Sequence, residues 1–180
     1  MLTKEQEEWV NHLSDTGSVK IAPYDPAAPA KFEAMKKRIL SALGGECEVL
    51  HRGASGLGIS GQPEIDIYIP VTPAAFDGTV ALMEKAFGKP YSVYLQERTK
   101  FILSENGTKF EIMVVNADRT SWAENVAFFA YLKDHPEDLD RYRRLKEEAA
   151  GLSNREYYRR KIEFINGILS KSSDIVRPSA

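Results

Sequence analysis

The sequence predicts an α/β (α+β) fold whose last third is entirely helical. Up to about residue 118, helix-spaced segments alternate with short β-rich segments. From residue 119 to 172, every segment shows helical spacing with helix start and stop signals. An Asn106-Gly107 pair between two β-rich runs adds a strong hairpin signal to the first part.

Composition narrows the class of protein. The chain has 180 residues, of which 43% are hydrophobic and 28% charged, as expected for one folded domain. Its net charge of -2 excludes a bulk polycation, and no apolar run approaches the ~18 residues of a membrane helix. The single cysteine, Cys47, excludes an internal disulfide framework and predicts a reducing, cytoplasmic location.

The first elements are helical. A capping box at Thr3 and a glycine stop at Gly17 predict a short helix, so we expect residues 1–18 to form an N-terminal extension. The main domain then spans residues 19–172, with an α/β core up to residue 118. A proline-rich segment leads into a helix from about Ala30 to Leu43, where apolar residues recur at helical spacing.

Strands follow this helix. Residues 64–69 alternate strictly between polar and apolar, which predicts a strand with one polar face. Residues 53–62 are rich in glycine and serine and predict a loop, and residues 74–87 predict a helix. The other predicted strands are residues 47–51, 91–95, 100–103 and 109–115.

Three helices complete the chain, with start signals at Ser121, Pro136 and Ser153. Between Arg141 and Lys161 there are eight basic and three acidic residues, which suits either a solvated helix face or a phosphate-binding patch. The residues expected to face inward are Trp122, Val126, Phe129 and Leu132 on the first helix, Leu139, Tyr142, Leu145 and Ala149 on the second, and Tyr158, Ile162, Ile165 and Leu169 on the third.

Three acidic residues carry the chemical signal. Glu64 and Asp66 are two apart on a predicted strand, so they share a face with roughly 7 Å of rise between them. Glu111 interrupts an apolar strand, and a buried acid needs a partner. If the two strands are neighbours, the three carboxylates converge and provide the oxygen ligands that Mg²⁺ or Mn²⁺ prefers.

Less specific explanations stand beside this one. The acidic pair suits an ordinary solvent-facing strand, and Glu111 can be paired with Lys100 or Lys109. The backbone N–H groups of Gly53–Ser55 and the Ser55 hydroxyl suit phosphate oxygens. His51 suits either a phosphate contact or a structural hydrogen bond. Arg52 suits a phosphate contact, although exposure to solvent is the simpler expectation.

Three separated blocks resemble the GrpB family of the nucleotidyltransferase superfamily. They are Val19–Glu33, which contains the P-Y-D-P of the family pattern V-x-P-Y-D-P, His51–Ile67, which carries the glycine loop and the acidic pair, and a tail block that includes Tyr142, Leu145 and Lys146. The resemblance covers about residues 19–168. It implies a nucleotidyltransferase-like mixed sheet flanked by helices, with a C-terminal helical part.

Carried over by position, the superfamily motif assigns nucleotide binding to Gly53, Ala54 and Ser55, and catalysis and metal binding to Glu64, Asp66 and Glu111. Lys146 matches the family's Y-x-x-L-K pattern and is assigned to the nucleotide. The chain departs from the family at several positions. These are Ala28 for Trp, Ala54 for Ser, Gly58 for Pro, Gln62 for Lys, Glu64 for an apolar residue and Glu111 for His.

The more complete acidic triad favours catalytic competence. The resemblance implies Mg²⁺- or Mn²⁺-dependent transfer of a nucleotidyl group from an NTP to an unknown acceptor, which is a small molecule, a protein or RNA, with Glu111 as the candidate general base. The alternatives are a non-catalytic nucleotide- or RNA-binding module of the same fold, and a scaffold in which the acids are surface residues. We expect the three carboxyl groups to lie within about 8 Å of one another. Without metal, we expect the pKa of at least one to rise. We also expect Lys146→Ala, as an exposed change, to leave stability unaltered.

Overall fold

The structure is a computed structural model that describes residues 1–45 and 47–172. By internal contacts the chain divides into two compact units. The sheet unit comprises Pro23–Ile59 and Pro63–Ala123. The helical unit comprises Met1–Ala22, Ser60–Gln62 and the chain from Glu124 onward. The domain boundaries drawn from the sequence, after residues 18 and 118, stay predictions.

The described residues form five strands and seven helices, which confirms the α/β class. None of these helices combines the length and the apolar character that crossing a membrane requires. In chain order the elements are α1 (Lys4–His12), α2 (Ala28–Leu43), β1 (Leu50–Arg52), α3 (Gly53–Gly56), β2 (Glu64–Val71), α4 (Pro73–Phe87), β3 (Ser92–Tyr94), β4 (Arg98–Glu105), β5 (Thr108–Asn116), α5 (Thr120–Asp134), α6 (Pro136–Glu148) and α7 (Asn154–Ser172).

The sheet is mixed, with the strand order β1-β2-β5-β4-β3. β2 and β5 run parallel, whereas the other neighbouring pairs are antiparallel. Asn106 and Gly107 adopt positive φ angles of 49° and 74° between β4 and β5, which confirms the predicted hairpin. This topology places β2 beside β5, although 36 residues separate Val71 from Thr108.

The two faces of the sheet differ in character. On β2, Ile65, Ile67 and Ile69 are buried, whereas Glu64 and Asp66 on the other face are half-buried. The predicted alternation is therefore confirmed. The apolar face forms the core of the sheet unit together with α2 and α4, which contribute Phe32, Met35, Ile39, Phe76 and Met83.

Some boundaries in the sheet unit differ from the sequence prediction. β1 spans only Leu50–Arg52, not residues 47–51, and the predicted loop opens with the short helix α3. α5 already begins at Thr120, so Ser121 is not its cap, and the Ser121 hydroxyl donates to Glu97 at 3.5 Å. The strongest stop signals hold, because Gly44 ends α2 and Gly88 ends α4 with positive φ angles.

The helical unit contains α1, most of α5, α6 and α7. The capping box at Thr3 is confirmed, as is the Ser153 cap of α7, whose hydroxyl accepts from the backbone N–H of Glu156 at 3.2 Å. The predicted inward face of α7 is wrong by one residue, because Tyr157 is fully buried and Tyr158 is only half-buried. Val126, expected to face inward, is 38% exposed.

Candidate active site

The three acidic residues converge on the polar face of the sheet. Asp66 of β2 and Glu111 of β5 are direct partners across the parallel pair, and Glu64 lies two residues before Asp66 on the same face. One carboxylate oxygen from each residue lies within 4.8 Å of the others. The predicted convergence is therefore confirmed, while the role of these residues as metal ligands stays a prediction.

Two lysines lie within this acidic cluster. Lys109 Nζ donates to Glu64 Oε2 and to Glu111 Oε1, both at 2.7 Å. Lys100 Nζ donates to the other oxygen of Glu111, also at 2.7 Å. The Glu64 and Glu111 side chains are only 12% and 11% exposed, so these ion pairs are largely shielded from water. The salt-bridge alternative derived from the sequence is thus present in the structure.

Lys100 and Lys109 lower the pKa of Glu111, whereas repulsion among the carboxylates is expected to raise the pKa of at least one of them. Burial by itself raises the pKa of Glu111, but the hydrogen bonds from Lys100 and Lys109 outweigh it, so this pKa lies below its ordinary value. Burial likewise works to lower the pKa of Lys109, and the hydrogen bonds to Glu111 and Glu64 raise it above the usual range. The expectation that repulsion raises a carboxyl pKa without metal therefore finds no support at Glu111.

The glycine loop packs against the acidic cluster at Gly53. A Cβ atom at this position would lie 1.8 Å from Asp66 Oδ2, and the φ angle of +64° itself favours glycine. β1 and β2 pair so that Arg52, the residue before Gly53, stands opposite Asp66. The loop therefore lies against the acidic cluster at Gly53, with backbone rather than a side chain next to Asp66.

Ser55 and His51 form a hydrogen-bonded pair within the loop. The Ser55 hydroxyl donates to the Glu64 carbonyl oxygen at 3.3 Å, and it lies 3.0 Å from His51 Nε2. A hydroxyl has one proton to donate, so His51 Nε2–H is the donor to Ser55. His51 also stacks on Phe32, and burial lowers its pKa. These contacts match the structural alternative for His51.

The expected exposure of Arg52 is wrong. Its side chain is buried, with 9% of its surface exposed, and its guanidinium lies 5.3 Å from the centre of the Trp122 ring. Trp122 in turn stacks on Tyr68, two residues after Asp66. The sequence contains no signal for this arrangement, since it depends on where the start of α5 lies on the sheet.

Lys146 lies in the helical unit, on α6, and only 4% of its surface is exposed. Its Nζ donates to the Tyr157 hydroxyl at 3.0 Å and lies 4.7 Å from the centre of the Tyr142 ring. The expectation that Lys146 is exposed is wrong, because the residue is buried with its ammonium group against Tyr142 and Tyr157. Its assignment to a nucleotide stays a prediction.

The acidic cluster has the chemistry of a divalent-ion site. Three carboxylates supply hard oxygen donors that lie within 4.8 Å of one another. An octahedral Mg²⁺ ion with bonds of about 2.1 Å places neighbouring ligand oxygens about 3.0 Å apart, so these side chains must draw closer together to bind it. The Lys109 ammonium between Glu64 and Glu111 marks a position where a positive charge is already accommodated. Glu64, Asp66 and Glu111 therefore fit an Mg²⁺ or Mn²⁺ ion, provided that Lys109 moves aside.

Comparisons with solved structures support the fold. The crystal structure of the conserved protein GrpB from Enterococcus faecalis is similar with a TM-score of 0.67 and 20% identity, over 84% of this chain and 96% of that one. A structure of Cid1, described as having RNA terminal uridylyl transferase activity, is similar with a TM-score of 0.50 and 12% identity, over 79% of this chain. The match covers 43% of the Cid1 chain. At these identities the likeness shows a common fold, namely that of a nucleotidyltransferase.

Comparisons of sequence identify the family. A UPF0157 protein of Halalkalibacterium halodurans is 29% identical over 152 residues, which is 81% of this chain and 76% of that protein. The family model described as GrpB protein matches residues 18–171, close to the span over which the sequence resembles that family. This match covers most of the chain, and the chain therefore belongs to the GrpB family.

Proposed function

We propose that this protein is a metal-dependent nucleotidyltransferase that transfers a nucleotidyl group from an NTP to an acceptor. The convergence of Glu64, Asp66 and Glu111 within 4.8 Å on one sheet face carries this proposal. The family's fold supports it, because Cid1, whose fold is similar, is a nucleotidyl-transferring enzyme by its description. The single cysteine supports a cytoplasmic location for the reaction.

In this proposal the carboxylates of Glu64, Asp66 and Glu111 hold an Mg²⁺ or Mn²⁺ ion. Such an ion, when bound, neutralises phosphate charge and favours attack at the α-phosphorus. Gly53 keeps Asp66 in place and, together with Ala54 and Ser55, offers backbone N–H groups to phosphate oxygens.

The reaction itself is an in-line displacement. An acceptor hydroxyl oxygen forms a bond to the α-phosphorus, the bond to the bridging oxygen breaks, and pyrophosphate leaves with the bonding electrons. The hydroxyl proton passes to a carboxylate, for which Glu111 is the candidate. Because the two lysines lower its pKa, Glu111 is a weak base until they turn away.

The lysine pairs favour a second candidate function. Lys100 and Lys109 already compensate much of the acidic charge, as expected of a module that binds nucleotide or RNA without turnover. The scaffold alternative also agrees with these pairs. Binding and turnover must therefore be measured separately.

Calorimetry with α,β-methylene analogues of the four NTPs, with and without Mn²⁺, tests binding. We expect Mn²⁺-dependent binding that Asp66→Asn abolishes. Asp77→Asn, which changes an exposed aspartate on α4, is the matched control and should bind like the wild type. Absence of binding to all four analogues would leave the acids as structural residues.

Release of pyrophosphate from γ-labelled NTPs tests turnover. We include short RNA, small hydroxyl compounds and protein among the acceptors, since the site chemistry accepts any hydroxyl. Pyrophosphate release that depends on Asp66 supports the transferase. Binding without pyrophosphate release at any acceptor would support the non-catalytic module instead.

A further inference from the structure

Lys109 occupies the position within the acidic cluster where a cation is most favourable. Its ammonium lies 2.7 Å from an oxygen of Glu64 and 2.7 Å from an oxygen of Glu111. Two carboxylates this close to each other both stay ionised only when a positive charge lies between them. Lys109 supplies that charge from within the chain.

A divalent ion and Lys109 compete for the same oxygen atoms. Both oxygens of Glu111 accept hydrogen bonds from lysines, and Lys109 also holds one oxygen of Glu64. The Lys109 side chain is 39% exposed, whereas those of Glu64 and Glu111 are 12% and 11% exposed. Lys109 is therefore the group that is free to move when an ion arrives.

Charge balance determines where Lys109 goes next. The cluster contains three carboxylates and the ammonium groups of Lys100 and Lys109, and Arg52 stands opposite Asp66 on β1. A divalent ion adds two positive charges to this set, with Lys109 released close to the ion. A polyphosphate coordinated to that ion is the anion best suited to accept the released ammonium group.

We propose that Lys109 is a resident cation of this site, which a divalent ion displaces and which then binds the polyphosphate that accompanies the ion. The site consequently binds a divalent cation more tightly when a polyphosphate is present, and a polyphosphate more tightly when the cation is present. This inference rests on the proposed function and deepens it, because it names a lysine that links the two ligands.

The wild-type protein provides the first test. Mn²⁺ binding is measured by electron paramagnetic resonance at buffered free Mn²⁺, with and without inorganic tripolyphosphate. We expect tripolyphosphate to strengthen Mn²⁺ binding by about tenfold, as a newly formed charge-assisted contact would. Equal Mn²⁺ affinity in the two conditions would overturn the proposal without any variant being needed.

Variants provide the second test. Lys109→Met, with Lys109→Gln as a second choice if the first fails to fold, should bind Mn²⁺ alone about tenfold more tightly than the wild type, because the competing cation is gone. It should also lose most of the gain from tripolyphosphate. Lys31→Met, which removes a half-buried lysine paired with Asp25 at 2.7 Å, is the control and should change neither value.

The outcomes separate this inference from the function on which it rests. If the wild type and both Lys109 variants bind Mn²⁺ equally well, Lys109 does not compete and the inference is wrong, while the metal site stands. If no protein binds Mn²⁺ with or without tripolyphosphate, the inference and the proposed function both fail.

Discussion

The sheet unit and the helical unit are both rich in charge, but they pair it in different ways. In the sheet unit, Lys100 and Lys109 bridge acids on different strands, and the acidic side chains are at most 12% exposed. In the helical unit, Arg143 and Arg144 pair with Asp140 three or four residues away on the same helix, with exposures between 37% and 58%. Two shielded acids that share one lysine distinguish the candidate site, whereas charge paired within one helix mostly keeps that helix in water.

The same contrast helps to interpret the basic residues between Arg141 and Lys161, on the last two helices. A groove of about 610 Å³ lies between α6 and α7, and three arginines line it, each paired with an acid of its own helix. Arg155, near the start of α7, pairs with Asp15 at 3.0 Å and donates to the Leu13 carbonyl oxygen. These contacts favour the solvated-face alternative for most of the run.

Lys146 belongs to the same basic run but is buried, and its substitution should cause the largest loss of stability. Because Lys146 is buried and its ammonium group lies against Tyr142 and Tyr157, Lys146→Ala should leave a cavity and destabilise the protein by about 2–4 kcal/mol. Arg144→Ala, at a side chain that is 58% exposed, should cost less than about 0.5 kcal/mol. Denaturant unfolding of both variants measures the difference, and equal midpoints would place Lys146 among the solvated charges.

Substitution of Gly53 in the sheet unit should cause the next largest loss of stability. Gly53→Ala places a methyl group against the Asp66 carboxylate, whereas Gly58→Ala, at a similar φ of +72°, meets no atom within 4 Å. Both variants carry the strain of an alanine at positive φ. The contact with Asp66 should therefore make Gly53→Ala less stable than Gly58→Ala by about 1–3 kcal/mol. Mn²⁺ should raise the melting temperature of Gly58→Ala but not of Gly53→Ala, as differential scanning fluorimetry can show. An equal response would mean that the placement of Asp66 does not depend on Gly53.

Substitution of Asp138 should cause the smallest loss of stability of the three, and this loss should depend on pH. Burial raises its pKa, but hydrogen bonds from Lys171, Tyr131 and Arg141 outweigh it and hold the pKa below the ordinary value. The ionised form is therefore favoured in the folded state, so its contribution is present above about pH 4 and is lost as pH falls through the lowered pKa.

Asp138→Asn should accordingly lower the melting temperature by a few degrees at pH 7, and the gap from the wild type should close in acid. Glu137→Gln, at the exposed neighbouring position, is the control. A gap that stays constant from pH 7 to pH 3 would show that Asp138 acts through its shape and not its charge.

The sequence by itself determined the fold class, the polar face of β2 and the Asn106-Gly107 hairpin. Each of these depends on neighbouring residues, since strand alternation, turn geometry and helix caps are properties of a short stretch of backbone. For the same reason the sequence predicted that Glu64 and Asp66 lie side by side. It also named Lys100 and Lys109 as candidate partners of Glu111, and both pair with it.

The tertiary structure decided the rest. The pairing of Asp66 with Glu111 and the bridge from Lys109 to Glu64 across 45 residues require β2 to lie beside β5. The contact of Arg52 with Trp122 requires the start of α5 to lie on the sheet. The one-residue shift in the buried face of α7 and the enclosure of Lys146 depend likewise on which helices pack together. Such contacts join residues far apart in the chain, and their free energy comes from desolvation and charge pairing, which a local sequence pattern does not encode.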